Sequence, residues 1–529
     1  MKNKNCLLLF LFCLALYGTF LDLIPLLDPD EPVYGETAKE MISSGDWISP
    51  RIYGDFWYDK PPLFYWLEAL SFSVFGVSTW SARLPSIVFA SMTPIYLYLS
   101  MRKLIGEKTA LYGAFICATS LEIIVLARSA VTDTILVFAL TVTLISFLRK
   151  DYIIAYLFCG LALLAKGPIG FGFPALIVGF WMIFSKQFTW KHIMALSWYW
   201  GIPLACLVGL PWYLAMANIH GAAFIDTFLG YHNMTRFISP EHTGQNHYWL
   251  YVVVLIAGFY PWTGTLPGVM RRFSQWRKDP VLLYLMTWSL FIFVFFSISS
   301  TQLFSYLLPI FPPISLLAGK YLTSLHEEGH ISKALIAFHL LFAVATAIAV
   351  AMAPLTPAGG NISKYSLSTG MVLAAILSVW HIRKGQMRGF LCSQALLISL
   401  FVFSVWGLFA SPVSSLFTSE AIALKLSETE RNSSIPLYID TFYRPSIAFY
   451  QDIYGEALPE YDRKKREETE KNEEKGVLLP GKSSESILPK ESYVLVQKKI
   501  YNQWPDSLKS GSHILWEKDT AYFLKVETE

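Results

Sequence analysis

Long apolar runs separated by short polar segments dominate the first 411 residues. The first run, "CLLLFLFCLALYGTFLDLIPLL" at 6–27, is long enough for a helix to cross the hydrocarbon core, which takes about 20 residues. A secretory signal peptide is the alternative for this run, but its length and the lack of a small-residue cleavage site favour a first span. The pattern predicts about thirteen spans, at 6–27, 82–101, 108–127, 130–148, 151–166, 168–185, 193–216, 247–269, 280–298, 302–322, 332–353, 366–382 and 389–411.

The distribution of Lys and Arg predicts the orientation of these spans. With the N-terminus in the cytoplasm, the inner loops carry about eighteen basic residues and the outer loops about eight, and positive charge favours the inner side. Two long outer loops result, at about 28–81 and 217–246. The first contains two predicted juxtamembrane helices, one from Pro32 to Gly45 and one from Pro61 to Gly76, because proline favours the first turn and glycine the end of a helix.

The pattern changes after residue 411, where short β-like runs alternate with polar stretches. These runs are "SIPLYID", "SIAFY", "SYVLVQK", "HILWEK" and "AYFLKVE", together with the charge run "DRKKREETEKNEEK". They predict a small extracytoplasmic α/β domain at 412–529 that follows a transmembrane domain at 1–411. The expected fold is therefore an all-α polytopic membrane protein with outer juxtamembrane helices and this C-terminal domain.

Composition supports a membrane protein and excludes several other classes. The chain has 529 residues, 54% hydrophobic and 15% charged, with a mean hydropathy of +0.43, whereas soluble domains carry about 25% charged residues. The net charge of +3 and the lack of a Gly-rich phosphate loop argue against nucleic acid and nucleotide binding. The six cysteines lie in or at the ends of apolar runs, where they are expected to pack as apolar side chains.

Acidic residues at the predicted outer face are the first candidates for chemistry. Asp30 and Glu31 follow the first span directly. They could act as a general base at the membrane surface, or Asp30 could cap the helix that Pro32 begins. Asp133 stands at the outer start of a span, where a carboxylate needs a partner or a function; an ion pair with Arg128 is the structural alternative.

Basic and aromatic residues on the same predicted face suit a lipid phosphate. Lys60, Lys166 and Arg236 could bind the phosphate oxygens, although Lys166 could also simply extend its ammonium towards the headgroups. Tyr306 could donate its hydroxyl to a phosphate or a sugar, or belong to an interfacial aromatic belt. Histidines crowd the second outer loop, so Asp59 with His242 or His247 is a candidate divalent-metal site, although no metalloprotease-type motif supports it.

An ordered set of residues in the first outer loop resembles a known family. The segment "DPDEPVYGETAKEMISSGDWISPRIYGDFWYDKPPLFYWL" is similar to the corresponding loop of integral-membrane C-type glycosyltransferases, in particular the 4-amino-4-deoxy-L-arabinose lipid A transferases and the related protein O-mannosyltransferases. The segments "ARSAVTD", "LAKGPIG", "HNMTRF" and "FSYLLPIFPPISLLAG" agree with later parts of that family. Two departures are Asp59 in place of a Glu and the lack of a Lys before Tyr306.

The resemblance implies a reaction and a set of roles. The family transfers a sugar from a polyprenyl-phosphate donor to an acceptor such as lipid A, another envelope glycan or a protein, at the outer face of the inner membrane. Asp30, Glu31 and Asp133 would be catalytic. Lys60, Lys166, Arg236, Tyr306 and Tyr34 would bind the donor. The acids of the first loop and the basic residues are then expected to meet in one cavity.

Two other functions are compatible with many spans. A transporter or flippase of lipid-linked sugars would also have several spans and intramembrane charges, but it usually shows inverted repeats and charges at the midplane. A scaffold with inert spans would leave Asp133 and Lys166 unexplained. The sequence does not determine which sugar is moved, which acceptor receives it, or whether a metal is needed.

Overall fold

The chain forms two compact units in a computed structural model. The structure describes residues 2–228, 230, 249–329, 332–353, 360–409, 414, 417–458, 488–489 and 491–527. One unit comprises 1–23 and 58–410, and the other comprises 24–57 and 411–529. Most of the predicted first outer loop thus folds with the C-terminal segment, whereas the sequence placed it in a transmembrane domain ending at 411.

The first unit is built from helices. Its α-helices are Lys2–Gly18, Leu63–Phe75, Thr79–Ile105, Glu107–Thr119, Leu121–Ala127, Asp133–Arg149, Tyr152–Lys166, Ile169–Phe184, Trp190–Ala195, Trp198–His220, Ala222–Phe224, Leu250–Gly258, Leu266–Trp276, Pro280–Ser297, Phe311–Glu327, Lys333–Met352, Gly360–Arg383 and Met387–Val402. Three 3₁₀ turns, Leu21–Leu23, Thr263–Thr265 and Phe304–Ile310, and a π-helical turn, Phe403–Leu408, join them. A helix lies at each of the thirteen predicted spans.

Fewer of these helices meet the length and composition expected of a full span. Among the described residues, seven do, and nine if two bent pairs each count as one span. Glu107–Thr119 and Leu121–Ala127 meet at 56°, and the helices on either side of Tyr260 at 107°. The chain is therefore a polytopic helical membrane protein, and the number thirteen stays a prediction.

Small residues allow close helix contacts in the first unit. A Cβ on Gly319 would lie 2.5 Å from the backbone nitrogen of Gly113 on the facing helix. Beside this crossing, the Thr109 hydroxyl donates to that of Thr323 at 3.1 Å. Such backbone approach is typical of helix pairs in membranes, where association depends on packing and not on the hydrophobic effect.

The second unit is a sheet with flanking helices. Its five strands lie in the order β4 (Glu456–Ala457), β3 (Leu437–Ile439), β5 (Glu491–Gln497), β7 (Ala521–Glu527) and β6 (Ser512–Lys518). The β3 strand pairs parallel with β4 and β5, and β7 pairs antiparallel with β5 and β6. The short β1 (Arg51–Ile52) and β2 (Asp55–Phe56) form a separate hairpin. The helices are Asp30–Ser44, Glu420–Ser427, Arg444–Gln451, Lys498–Tyr501 and Asp506–Ser510.

Most local expectations for the first outer loop and for the C-terminal segment are confirmed, with two corrections. Gly45 ends the Asp30–Ser44 helix with φ 69°, and Gly76 ends the Leu63–Phe75 helix with φ 81°. The first helix begins at Asp30 and not at Pro32, and Pro29 occupies its N-cap position. The run "SIAFY" is part of the Arg444–Gln451 helix and not a strand, because Pro445 starts a helical turn whose apolar face is buried. The charge run at 462–475 lies outside the described residues.

Candidate active site

Asp133 and Lys166 form an ion pair in the first unit. The Lys166 Nζ donates to Asp133 Oδ1 at 2.6 Å, and the two side chains are only 12% and 10% exposed. Asp133 is the first residue of its helix, where the helix dipole favours a negative charge. Lys166 is the last residue of another helix, and Gly167, with φ 80°, turns the chain away behind it. The predicted "KG" turn therefore brings a lysine to the start of a span.

Tyr306 completes this cluster. The Lys166 ammonium lies 5.1 Å from the centroid of the Tyr306 ring, a cation–π arrangement. The Tyr306 ring in turn lies 5.2 Å from that of Phe296. Three of the predicted site residues, distant in sequence, thus come together; we call Asp133, Lys166 and Tyr306 the lysine cluster.

Arg128 is not the partner of Asp133. Its guanidinium is buried and donates to the carbonyl oxygens of Leu16, Tyr17 and Thr19 at 3.0, 2.9 and 2.5 Å. It also lies over the Trp406 ring at 4.7 Å. The Arg128–Asp133 ion pair that the sequence offered as a structural explanation is therefore wrong, and Arg128 ties the end of the first helix to its neighbours.

A second acid–lysine pair lies in the same unit. Lys60 donates to both carboxylate oxygens of Asp59 at 2.8 Å, with side chains 17% and 14% exposed. The adjacent Tyr58 packs against a buried cluster that includes Leu164 and Trp212. Since Leu164 is two residues before Lys166, the helix that carries Lys166 and the segment that carries Lys60 share one hydrophobic cluster.

Both pairs can receive an anion without a change of fold. A lysine ammonium has three donors, so it can hold its carboxylate and a phosphate oxygen together. The half-buried setting strengthens such a charge-assisted bond relative to water. Each carboxylate compensates the charge of its lysine.

The predicted acids of the first loop lie in the second unit. Asp30 is exposed at the start of its helix, and Tyr34 is half-buried one turn later. Glu31 is only 2% exposed, and its Oε2 accepts the Leu27 backbone amide at 2.7 Å. Pro29 is the N-cap residue and no side chain caps the helix, so the capping role considered for Asp30 is not observed, and Glu31 instead binds the turn that precedes the helix. The expectation that these acids meet the lysines in one cavity stays a prediction.

The metal site stays a prediction, because most of its candidate ligands lie outside the described residues. His242, His247 and Arg236 lie outside the described part of the chain. Within that part, no three His, Cys, Asp or Glu side chains are grouped as metal ligands would be. Asp59, the one described member of the candidate site, forms an ion pair with Lys60.

Comparisons with known proteins agree with the resemblance seen in the sequence. Residues 59–214 match the family model described as dolichyl-phosphate-mannose-protein mannosyltransferase. An undecaprenyl phosphate-alpha-4-amino-4-deoxy-L-arabinose arabinosyl transferase of Proteus mirabilis is 27% identical over 413 residues, which cover 74% of this chain and 71% of that protein. Its Edwardsiella ictaluri counterpart is 30% identical, over 57% of this chain and 56% of that protein. The aligned part of this second relative is thus little more than half of its length.

A solved structure extends the similarity to the whole fold. The crystal structure of ArnT from Cupriavidus metallidurans bound to undecaprenyl phosphate superimposes with a TM-score of 0.77 over 98% of this chain and 97% of that one. The sequence identity in that superposition is 20%. The fold therefore includes the second unit as well as the membrane helices, and the predicted family resemblance is confirmed.

Proposed function

We propose that this chain, a member of the integral-membrane C-type glycosyltransferases, moves a sugar from a polyprenyl-phosphate donor to an acceptor at the outer face of the inner membrane. The names of the relatives make undecaprenyl phosphate-4-amino-4-deoxy-L-arabinose the first donor to test. The resemblance makes lipid A the first acceptor, with other envelope glycans and proteins as the remaining candidates. The comparisons favour this activity over transport of lipid-linked sugars.

The lysine cluster is the observation that carries the proposal. A glycosyl transfer breaks the bond between the anomeric carbon and a phosphate oxygen, so negative charge grows on the leaving phosphate in the transition state. A preorganised cation stabilises that charge more in the transition state than in the ground state, which is the largest contribution in many enzymes. Lys166, oriented by Asp133 and Tyr306, is such a cation. Lys60 and Arg236 are proposed to bind the same phosphate.

The carboxylates receive different roles. Asp133 keeps Lys166 in place, and its proposed second role is to stabilise positive charge on the sugar ring as the bond to phosphate lengthens. Asp30, which is exposed, can accept a proton from an acceptor hydroxyl. If the acceptor is a lipid A phosphate, that group is already ionised, and Asp30 then orients the acceptor or the sugar. Glu31 supports the start of the Asp30 helix, and Tyr34 is assigned to substrate binding.

The proposal includes the full topology. We infer thirteen spans, because a helix lies at every apolar run, with the C-terminal α/β domain and the site outside the cytoplasm. Paired fusions at residue 529 to alkaline phosphatase and to green fluorescent protein test this orientation. Phosphatase activity without fluorescence is expected, and the reverse pattern would contradict an outer C-terminus.

Purified protein in liposomes provides the test of function. With undecaprenyl phosphate-4-amino-4-deoxy-L-arabinose and lipid A, mass spectrometry is expected to show the acceptor gaining one aminoarabinose and undecaprenyl phosphate being released. A matched reaction with Lys166→Met controls for spontaneous transfer. Donor that crosses the bilayer without being consumed would support a transporter instead, and a gain of mass on another glycan or a protein would change the acceptor.

A further inference from the structure

The segment that carries Asp30 and Glu31 is folded against the C-terminal part of the chain. Residues 24–57 and 411–529 form one compact unit. We call Asp30–Ser44 the acidic helix and Arg444–Gln451 the cradle helix. Residues far apart in sequence link the two helices directly, and Asp28, two residues before Asp30, adds further contacts just before the acidic helix begins.

The two helices approach closely along the middle of the acidic helix. A Cβ on Gly35 would lie 2.7 Å from the Phe449 ring, so only glycine fits there without a shift of that ring. Lys39 donates to the carbonyl oxygens of Ala448 and Phe449 at 3.2 and 3.1 Å, and it pairs with Asp452 at 2.6 Å. The carbonyls at the C-terminal end of the cradle helix thus meet a cation, which the helix dipole favours.

Asp28 is fixed from three sides just before the acidic helix begins. Its carboxylate accepts hydrogen bonds from the Ser419 and Ser446 hydroxyls, and its backbone amide donates to the Phe417 carbonyl at 2.9 Å. Two residues earlier, the Leu26 amide donates to the Tyr450 hydroxyl at 2.7 Å. Both Ser446 and Tyr450 belong to the cradle helix.

Further along, two glutamates fix the rotation of the acidic helix. Glu36 is fully buried, and the Tyr454 hydroxyl donates to it at 2.9 Å. Glu40 accepts the backbone amides of Tyr53 and of Gly54, the latter at 2.9 Å. Tyr53 and Gly54 thus fix the end of the helix, whereas its start, and with it the direction of Asp30, depends on the cradle helix through Ser446 and Asp28.

We propose that Asp28 is a positioning residue: held by Ser446 of the cradle helix and by Ser419, it sets the place of the Asp30 carboxylate for glycosyl transfer. The inference rests on the proposed function. It makes the C-terminal domain a necessary part of the catalytic apparatus. The reason is geometric, because a shift of about 1 Å in a catalytic group can cost about 100-fold in rate.

The same contacts make this position sensitive to pH. Burial raises the pKa of Asp28 to about 6, against the two serine hydrogen bonds, which favour the ionised form. The charged and titratable groups that act on it are Glu31, which raises its pKa further, and the facing phenols Tyr53 and Tyr443. Protonation turns one carboxylate oxygen of Asp28 from an acceptor into a donor. The hydrogen bonds from Ser419 and Ser446 therefore weaken as pH falls through about 6.

The test uses full-length variants in the liposome assay. Ser446→Ala and Asp28→Asn are expected to lower kcat by about 10- to 100-fold with the KM for the donor within about twofold, because positioning affects the transition state more than donor binding. Ser446→Thr keeps the hydroxyl and should recover most of the rate. Tyr454→Phe removes the hydroxyl that donates to Glu36 on the acidic helix, and a smaller loss of kcat is expected there.

Ser492→Ala is the matched control. Ser492 is also fully buried in this unit, but its hydroxyl donates to the Pro489 carbonyl at 3.2 Å, away from the acidic helix. It should leave kcat unchanged. Equal losses in Ser446→Ala and Ser492→Ala would mean that the unit is merely destabilised, and the positioning role would be rejected.

The pH profile separates positioning from folding. The wild-type rate is expected to fall below about pH 6, whereas Asp28→Asn should show a low rate without that acid limb. An unchanged acid limb in Asp28→Asn overturns the inference. Full activity in both Asp28→Asn and Ser446→Ala overturns it as well. A wild-type protein that transfers no sugar at any pH would instead refute the proposed function, so the two failures are distinct.

Discussion

Each candidate phosphate-binding lysine in the described residues is already paired with an acid. Lys166 with Asp133, and Lys60 with Asp59, are both largely shielded from water. Removing one member of such a pair leaves a poorly solvated charge, which costs about 3–5 kcal/mol. A simple loss of activity after mutation therefore does not separate catalysis from stability, and variants at these positions need a paired design.

Lys166→Met is expected to lower both thermal stability and transfer, because Asp133 loses its counter-charge. Adding Asp133→Asn removes the uncompensated charge, so the double variant should regain most of the melting temperature. Its transfer rate should stay at least about 100-fold below wild type, since the cation for the leaving phosphate is still missing. Thermal unfolding in detergent and the liposome assay together give the result. Wild-type transfer by the double variant would contradict the role of Lys166.

Asp30→Asn is expected to insert and fold normally but to lose transfer by about 10²- to 10⁴-fold, the usual range for a general base. The side chain is exposed and Asn has the same shape, so little stability is at stake. Asp55→Asn, an exposed carboxylate of the same unit, is the control and should keep full activity. Retained transfer in Asp30→Asn to a hydroxyl acceptor would refute a base at this position.

Helix ends and close crossings are the features of individual elements that shape the site. Asp133 begins a helix and Lys166 ends one, so the ends of two elements bring the pair together. The crossing of Gly113 and Gly319 fixes the helix that follows the Tyr306 turn. Tyr306 can lie over Lys166 only if that helix keeps its position.

Gly319→Ala is expected to destabilise the first unit by about 1–3 kcal/mol, the usual cost of overpacking. Its Cβ would meet backbone atoms of the facing helix, at 2.5 Å from Gly113 N and 2.7 Å from Thr109 O, and backbone cannot move aside as a side chain can. Gly179→Ala is the matched control, because a Cβ there meets nothing within 4 Å. Thermal unfolding should show a lower midpoint for Gly319→Ala alone, and equal midpoints for the two variants would contradict the tight crossing.

The whole molecule is organised around a segment that leaves the first span and folds with residues some 400 positions later. The 24–57 segment shares a unit with 411–529, and its acidic helix is fixed by Ser446, Tyr450 and Tyr454. The C-terminal part therefore supports the segment that carries Asp30 and Glu31.

Deletion of 411–529 is expected to abolish transfer while the membrane helices still insert. The deletion removes the surface against which the acidic helix packs. Glu36, which is fully buried in the full-length chain, would then be exposed to water. Membrane fractionation reports insertion, and lipid A mass spectrometry in cells reports transfer. A truncated protein that still modifies lipid A would show that 24–57 holds its active form without the C-terminal segment.

The sequence by itself determined the membrane class, the position of the helices at the apolar runs and the resemblance to a family. The length of the apolar runs, and proline and glycine at helix starts and ends, are local signals. The motif around Asp30-Glu31 is also a local pattern, of residues in a fixed order. Local signals also indicated Lys166 at a turn and Asp133 at the start of a span. Local signals also predicted the strands of the C-terminal segment. The strand predicted at "SIAFY" was wrong, because a short apolar run is equally compatible with a strand and a buried helix.

Only the tertiary structure decided which residues are partners. The sequence offered Arg128 for Asp133, since they are neighbours in the chain, whereas the fold supplies Lys166, 33 residues away. The links from Asp28 to Ser419 and Ser446 span 391 and 418 residues, and no local pattern carries such information. A hydrogen bond or ion pair depends on distances of about 3 Å, and these are set by the packing of whole helices and not by the order of residues.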